Sequence, residues 1–277
     1  MPTSRPVKRR DHPVFEQHFG LSATPFRKDV PAMALFPSRL HQETLGRLAY
    51  AIGHCQIVCL CGETGSGKST VLRALVAQQS PARFRFLHLP QPPRTARELW
   101  TDLLQTLGSD VPWTMTEART RVRRQLAASA EAGRTPVLIL DDAQEIPPAM
   151  LEELRLLTAF DLDARPVFAL LLAGHPELAR HIRKRGLEAL AQRVDLWCHL
   201  VGLERDEIGH YLQHHLELAG CAQPLFDPGA VLAIFQATKG VPRAINRLAT
   251  ACLQHAAAHH LDHVDPTVVE TVASAID

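Results

Sequence analysis

The stretch Gly62-Glu63-Thr64-Gly65-Ser66-Gly67-Lys68-Ser69 has glycines, a lysine and a hydroxyl at the spacing G-x-x-x-x-G-K-[ST]. Each position suits the grip on a phosphate chain. Glycines let the backbone curl until consecutive N–H groups aim inward at phosphate oxygens. A helix starting at the end of the loop turns its partly positive N-terminus toward the same anion. Lys68 supplies a point charge to the β- and γ-phosphates, and the Ser69 hydroxyl takes one place on Mg²⁺. Thr70 completes the expected contacts. ATP with Mg²⁺ is the ligand that these groups suit.

A second acidic motif lies downstream. Val137-Leu138-Ile139-Leu140 is an apolar run that ends in Asp141-Asp142. A strand ending in a carboxylate delivers it to the carboxyl edge of a parallel sheet, beside the phosphate loop. Asp141 is then placed to hold Mg²⁺ through water. Asp142, its neighbour, is placed to polarise an attacking water as general base.

Positioning these groups requires alternating strands and helices, and the sequence supplies them. Helical spacing runs from Ser38, placed as a cap, to Ile52, and Ile57–Cys61 is continuously apolar, as in a strand buried on both faces. Helical periodicity resumes from Ser69 to Gln78. Phe84–Leu89 reads as a strand, and 95–107 and 116–132 read as helices. After the strand at 137–140 comes a proline-started helix through Met150, Leu154 and Leu157. Strands at 167–173 and 194–201 complete a set of five. The pattern predicts an α/β fold with a parallel five-stranded sheet between helices. From about Gly202 onward only helices are expected, at 204–219, 228–238, 242–259 and 266–275. The expected divisions are a basic tail at 1–13, a nucleotide-binding α/β domain at 14–202 and a helical lid at 203–277.

Bulk properties set limits. The sequence has 277 residues, 46% of them hydrophobic, and a formal net charge of +1, so a nucleic-acid partner would have to be met by local patches. Six scattered cysteines lack a Cys-x-x-Cys pair, which argues against zinc or a disulfide framework and suits a cytoplasmic location. The longest apolar run, at 167–173, is too short for a membrane helix, and no membrane partner is expected.

The order of motifs resembles the AAA+ ATPases of the ExeA family, named for a type II secretion component, and their relatives in transposition of the TnsC and MuB kind. The likeness runs from Phe19 to about His255. The resemblance implies a P-loop NTPase of AAA+ type with a C-terminal helical lid. The segment Phe19-Gly20-Leu21 and Pro25-Phe26 is similar to the family's opening signature, and with the region of His41 it is implied to pack against adenine. Asp141-Asp142-Ala143-Gln144 is similar to Asp-Glu-Ala-His/Gln. Gly174-His175-Pro176-Glu177-Leu178 is similar to Gly-Gln-Pro-Glu-Leu, putting His175 at sensor 1. Gln192-Arg193 makes Arg193 the implied arginine finger. Gly240-Val241-Pro242-Arg243 makes Arg243 the implied sensor 2, with Asn246 following. Two departures stand out. Asp142 is one methylene shorter than the family's glutamate, so slow turnover, or turnover only after oligomer closure, is expected. His175 replaces the family's glutamine.

An arginine finger implies a homo-oligomer, ring or filament, with ATP at subunit interfaces. The work ATP drives is read first as regulation of transposition on duplex DNA with a transposase partner. The alternatives are a cytoplasmic secretion ATPase and a nucleotide switch with little hydrolysis. Secretion relatives continue into a membrane helix and a cell-wall-binding domain, whereas this sequence stops after the lid. That supports the transposition reading. Clusters of Arg119, Arg121, Arg123 and Arg124, of Arg180, Arg183, Lys184 and Arg185, and of Arg5, Lys8, Arg9 and Arg10 are the candidate DNA-facing surfaces. The histidines of the C-terminal region are read as solvated residues of the lid rather than metal ligands.

Overall fold

A computed structural model describes residues 14–89, 91–160 and 166–276, so the basic tail at 1–13 lies outside the described residues. The chain divides into two compact units. One is Pro31–Val201; the other joins the described part of the segment before Pro31 to the segment from Gly202 onward.

The first unit is an α/β layer structure. Its strands are β1 (Ile57–Gly62), β2 (Phe84–Leu89), β3 (Thr135–Leu140), β4 (Ala169–Gly174) and β5 (Val194–Leu200), in the spatial order β2-β3-β4-β1-β5. Every neighbouring pair is parallel. Strand β1 reads as an unbroken apolar run because both its faces are covered. Its side chains still alternate. Val58 and Leu60 join Val137, Ile139 and Leu171 in one core, while Cys59 and Cys61 join Leu138, Leu140 and Leu170 in the other.

Helices α2 (Arg39–Gly53) and α3 (Lys68–Gln78) cover the first face through Leu48, Ile52, Leu72 and Leu75. The other face is covered by α4 (Ala96–Thr106), α5 (Met115–Glu131), α6 (Pro148–Thr158), α7 (Pro176–Ile182) and α8 (Glu188–Arg193). The expected cap Ser38 is in place, and Thr95 and Thr114 also each accept a backbone N–H of the first turn of their helices. Because β4 and β1 are neighbours and β3 borders β4, the loops leaving all three strands meet at one edge of the sheet.

The second unit is helical, with α9 (Ile208–Leu218), α10 (Pro228–Thr238), α11 (Pro242–Ala258) and α12 (Pro266–Ile276). It also holds residues 14–30, which the sequence reading assigned to the sheet domain. A short helix, α1 (Val14–His18), packs on α11, and Phe15, Leu21 and Phe26 are buried. Ser22 donates to the carbonyl of Ala219 from both its N–H (2.8 Å) and its hydroxyl (2.9 Å). Apolar burial and these bonds tie the segment to the helices, so the boundary belongs near residue 30. The first helical stretch also starts later than expected, because Arg205–Glu207 forms a 3-10 turn before α9. Gly240 has φ +76°, and a Cβ there would lie 2.1 Å from the carbonyl oxygen of Leu203. That close backbone approach explains the glycine of Gly240-Val241-Pro242-Arg243.

His215 on α9 is buried, with its ring centroid 5.4 Å from Phe26 and 4.6 Å from Tyr211. Burial, aided by the charge of His214, pushes its pKa down from 6.5 to about 4. Unfolding therefore takes up a proton between those values, and stability is lost as pH falls from 6.5 toward 4. The loss is of the order of 3 kcal/mol. A His215→Leu protein is expected to lose this part of the acid slope when urea midpoints are measured against pH. Parallel curves for the two proteins would refute the assignment. Among the described residues no helix is long and apolar enough to cross a membrane. The six cysteines are free thiols, and no His/Cys/Asp/Glu cluster among the described residues could hold a metal ion.

Candidate nucleotide site

The loop between β1 and α3 curls as its glycines allow. Gly65 and Gly67 have φ of +88° and +102°, a region that side chains rarely enter. A Cβ at Gly67 would sit 2.5 Å from His41 Nε2. That nitrogen is 3.1 Å from the carbonyl oxygen of Ser66, which can only accept, so Nε2 carries a proton. On the other side of the ring, Nδ1 contacts the hydroxyl of the buried cap residue Ser38. His41, expected near adenine, thus braces the phosphate loop. The Ser66 hydroxyl is buried in the turn with no hydrogen-bond partner, against Gly62, where a Cβ would lie 2.6 Å from it.

The charged groups face the edge where β1, β3 and β4 end. Lys68 Nζ donates to the carbonyls of Gly62 (2.8 Å) and Glu63 (3.1 Å), which arches the ammonium over the loop. Ser69 Oγ donates to Asp141 Oδ2 at 2.7 Å. The hydroxyl and the strand-end acid proposed for magnesium therefore share one corner. Asp142 follows in the left-handed region, with φ 50° and ψ 35°, and its N–H donates to Asp141 Oδ1 at 3.0 Å. Aspartate tolerates this conformation better than most residues, but it still costs energy.

Two links between strand ends, from Gln144 to His175 and from His175 to Glu63, close the arrangement into a ring. Gln144 joins Asp142 to the backbone of His175. His175 Nε2 lies 2.8 Å from Glu63 Oε2, back on the phosphate loop. Neither contact was foreseen, because each joins residues whose proximity depends on strand order. A cleft of about 490 Å³ opens beside Asp142, lined by Gln91, Pro92, Arg94, Asp142, Gln144 and Glu145.

The residues fit ATP and magnesium. Glycines that bring main-chain N–H groups inward, one ammonium at the loop, and a hydroxyl hydrogen-bonded to a carboxylate form the donor set that a magnesium triphosphate requires. The loop from Gly62 to Thr70 would hold the phosphates, and Ser69 with Asp141 would hold the metal. Bound magnesium would neutralise charge that builds on the phosphates during transfer.

Other expected site residues lie elsewhere. Arg193 ends α8, and its Nη1 donates to Thr158 Oγ1 at 3.0 Å. Val194 pairs with Ile57 at the start of β1, whereas Gly62 pairs with Leu200, so Arg193 stands at the opposite end of the sheet from its own loop. At about 3.3 Å per residue the separation is roughly 17 Å. Arg193 also helps Arg155, the larger influence, hold the Glu152 carboxyl below its ordinary range.

In the helical unit Phe19 is half-buried and Arg243 is exposed at the start of α11. Asn246 accepts the Tyr211 hydroxyl at 2.7 Å. Pro25 and Phe26 are buried there, with the Phe26 ring between His215 and Phe226.

Several of the clustered arginines are engaged within their own unit, and the cluster of Arg5, Lys8, Arg9 and Arg10 lies outside the described residues. Arg119 pairs with Glu153, and Arg121 pairs with Glu117 and reaches the Asp110 carbonyl. Arg123 caps the carbonyl end of α6 at Leu156, Leu157 and Ala159, and its guanidinium lies 4.1 Å from the Phe160 ring centroid. Arg180 pairs with Glu177, and Arg183 stacks on Trp197.

The chain has a P-loop fold of AAA+ type with a site suited to ATP, and residues 51–182 match the AAA domain family model. The chain is related to general secretion pathway protein A of Aeromonas hydrophila, at 33% identity over 269 residues covering 95% of this chain. It spans about half (49%) of that protein's length. The fold is also similar to Cdc6p from Pyrobaculum aerophilum, with a TM-score of 0.65 at 18% identity over 91% of this chain and 70% of that one. Drosophila ORC bound to DNA gives a TM-score of 0.65 at 14% identity, over 100% and 69% of the two chains.

Proposed function

We propose that this chain is the ATP-hydrolysing module of a general secretion apparatus, working as a homo-oligomer on the cytoplasmic side. The observation that carries this reading is the 33% identity with general secretion pathway protein A, which runs through both compact units rather than the phosphate loop alone. Hydrolysis would use Lys68 and the loop amides on the phosphates, Ser69 and Asp141 on magnesium, and Asp142 on the attacking water. Arg193 would serve a neighbouring subunit, and Arg243 would serve as sensor 2. Buried free thiols agree with a reducing compartment.

The second reading, a regulator of transposition on duplex DNA with a transposase partner, is favoured by the fold likeness to a protein solved on DNA. Its weaker support, the basic clusters, is reduced because Arg119, Arg121 and Arg123 are engaged within their own unit.

One experiment separates the two. Particles are imaged by electron microscopy with Mg²⁺ and a non-hydrolysable ATP analogue, with and without duplex DNA. The secretion reading expects nucleotide-dependent assemblies indifferent to DNA. Ordered assemblies that form only on DNA, and dissolve as salt rises, would replace it with the transposition reading.

A further inference from the structure

Gln144 sits in the 3-10 turn Ala143–Glu145, two residues past Asp142. Its amide spans two strand ends. Oε1 accepts the backbone N–H of His175 at 2.8 Å, and Nε2 donates to Asp142 Oδ1 at 3.3 Å. The orientation follows from chemistry. A backbone N–H only donates, so it takes the amide oxygen and leaves the NH₂ for a carboxylate that only accepts. Room for this contact exists because residue 174 is glycine: a Cβ there would lie 2.5 Å from Gln144 Oε1. Asp142 has a strained backbone, so its carboxylate benefits from an outside tie. His175, at the other end of the amide, reaches Glu63 on the phosphate loop.

We infer that Gln144 is a positioning residue for hydrolysis, fixing the Asp142 carboxylate to the end of β4 and, through His175, to the phosphate loop. The inference rests on the hydrolytic reading of the site. Gln144 need not touch the nucleotide. Its effect passes through Asp142, so it governs turnover and leaves ATP affinity to the loop.

The test measures kcat and the affinity for a fluorescent ATP analogue on the full chain. Gln144→Ala is expected to lower kcat by about 10–100-fold, since small misplacements of a reacting group have effects of that size. ATP affinity should stay near that of the parent. Gln144→Glu keeps the acceptor for His175 but replaces the donor to Asp142 with a second carboxylate, so it should be at least as slow. Gln144→His can accept at one ring nitrogen and donate from the other, and it should recover turnover. In an Asp142→Ala background, Gln144→Ala should cause no further loss. Parental kcat in Gln144→Ala, an undiminished effect without the Asp142 carboxylate, or a parallel loss of affinity and kcat would each overturn the inference. Failure of the parent itself to hydrolyse ATP would overturn the hydrolytic reading, and this inference with it.

Discussion

A Lys68→Ala protein is expected to bind ATP about 10²–10³-fold more weakly than the parent and to show no measurable turnover, because removing one partner of a desolvated charge pair costs about 3–4 kcal/mol. Lys68 Nζ rests on the carbonyls of Gly62 and Glu63, arched over the loop that would hold the phosphates. Its removal deletes the ammonium without disturbing the core, because the α3 residues that pack on the sheet are Val71, Leu72 and Leu75. Isothermal titration with ATP and Mg²⁺ reads the affinity, and thermal unfolding of the same sample checks the fold. Parental affinity in a folded Lys68→Ala protein would remove the phosphate site from Gly62–Ser69.

Much of this site could be read from short-range grammar. The glycines of the loop, the cap at Ser38 and the acid after Leu140 are each specified by a few neighbouring residues, and all lie where the pattern put them. The strands were legible for a related reason: a run such as Leu170–Ala173 is apolar throughout only when helices cover both faces of its sheet.

What could not be read depends on distant adjacency. Gln144 meets His175 only because β4 lies next to β3, and Glu63 meets His175 only because β1 lies on the other side of β4. The arginines of α5 look like a free basic face in one dimension. In space Arg119 and Arg123 find α6, whose Glu153 and terminal carbonyls sequence spacing cannot bring near. Phe26 depends on distant adjacency too: its resemblance to a family signature implies packing against adenine, and its neighbours His215 and Phe226 are far away in sequence.

These contacts bear on the shorter base. An aspartate reaches less far than a glutamate, yet the left-handed turn at Asp142 changes where its side chain starts, and Gln144 limits where it ends. A base held in this way works only if the remaining charge on the reacting phosphate is also met. Within one subunit Arg193 does not meet that charge, because it sits at the far end of the sheet.

An Arg193→Ala protein is therefore expected to lose about 10³–10⁵-fold in kcat, the range an arginine finger contributes, with ATP affinity retained. The loss should be repairable by a partner subunit. Lys68→Ala subunits lack their own phosphate grip but still carry Arg193, while Arg193→Ala subunits keep an intact loop. Mixing the two inactive proteins should restore activity at interfaces that pair a good loop with a good finger. The recovered rate should rise steeply with protein concentration, since it requires assembly. If Arg193 serves only to hold Thr158 and balance Glu152, mixing recovers nothing and Arg193→Ala instead lowers the unfolding temperature. The two roles are compatible in geometry but not in outcome, because a purely structural arginine cannot act on a neighbour's nucleotide.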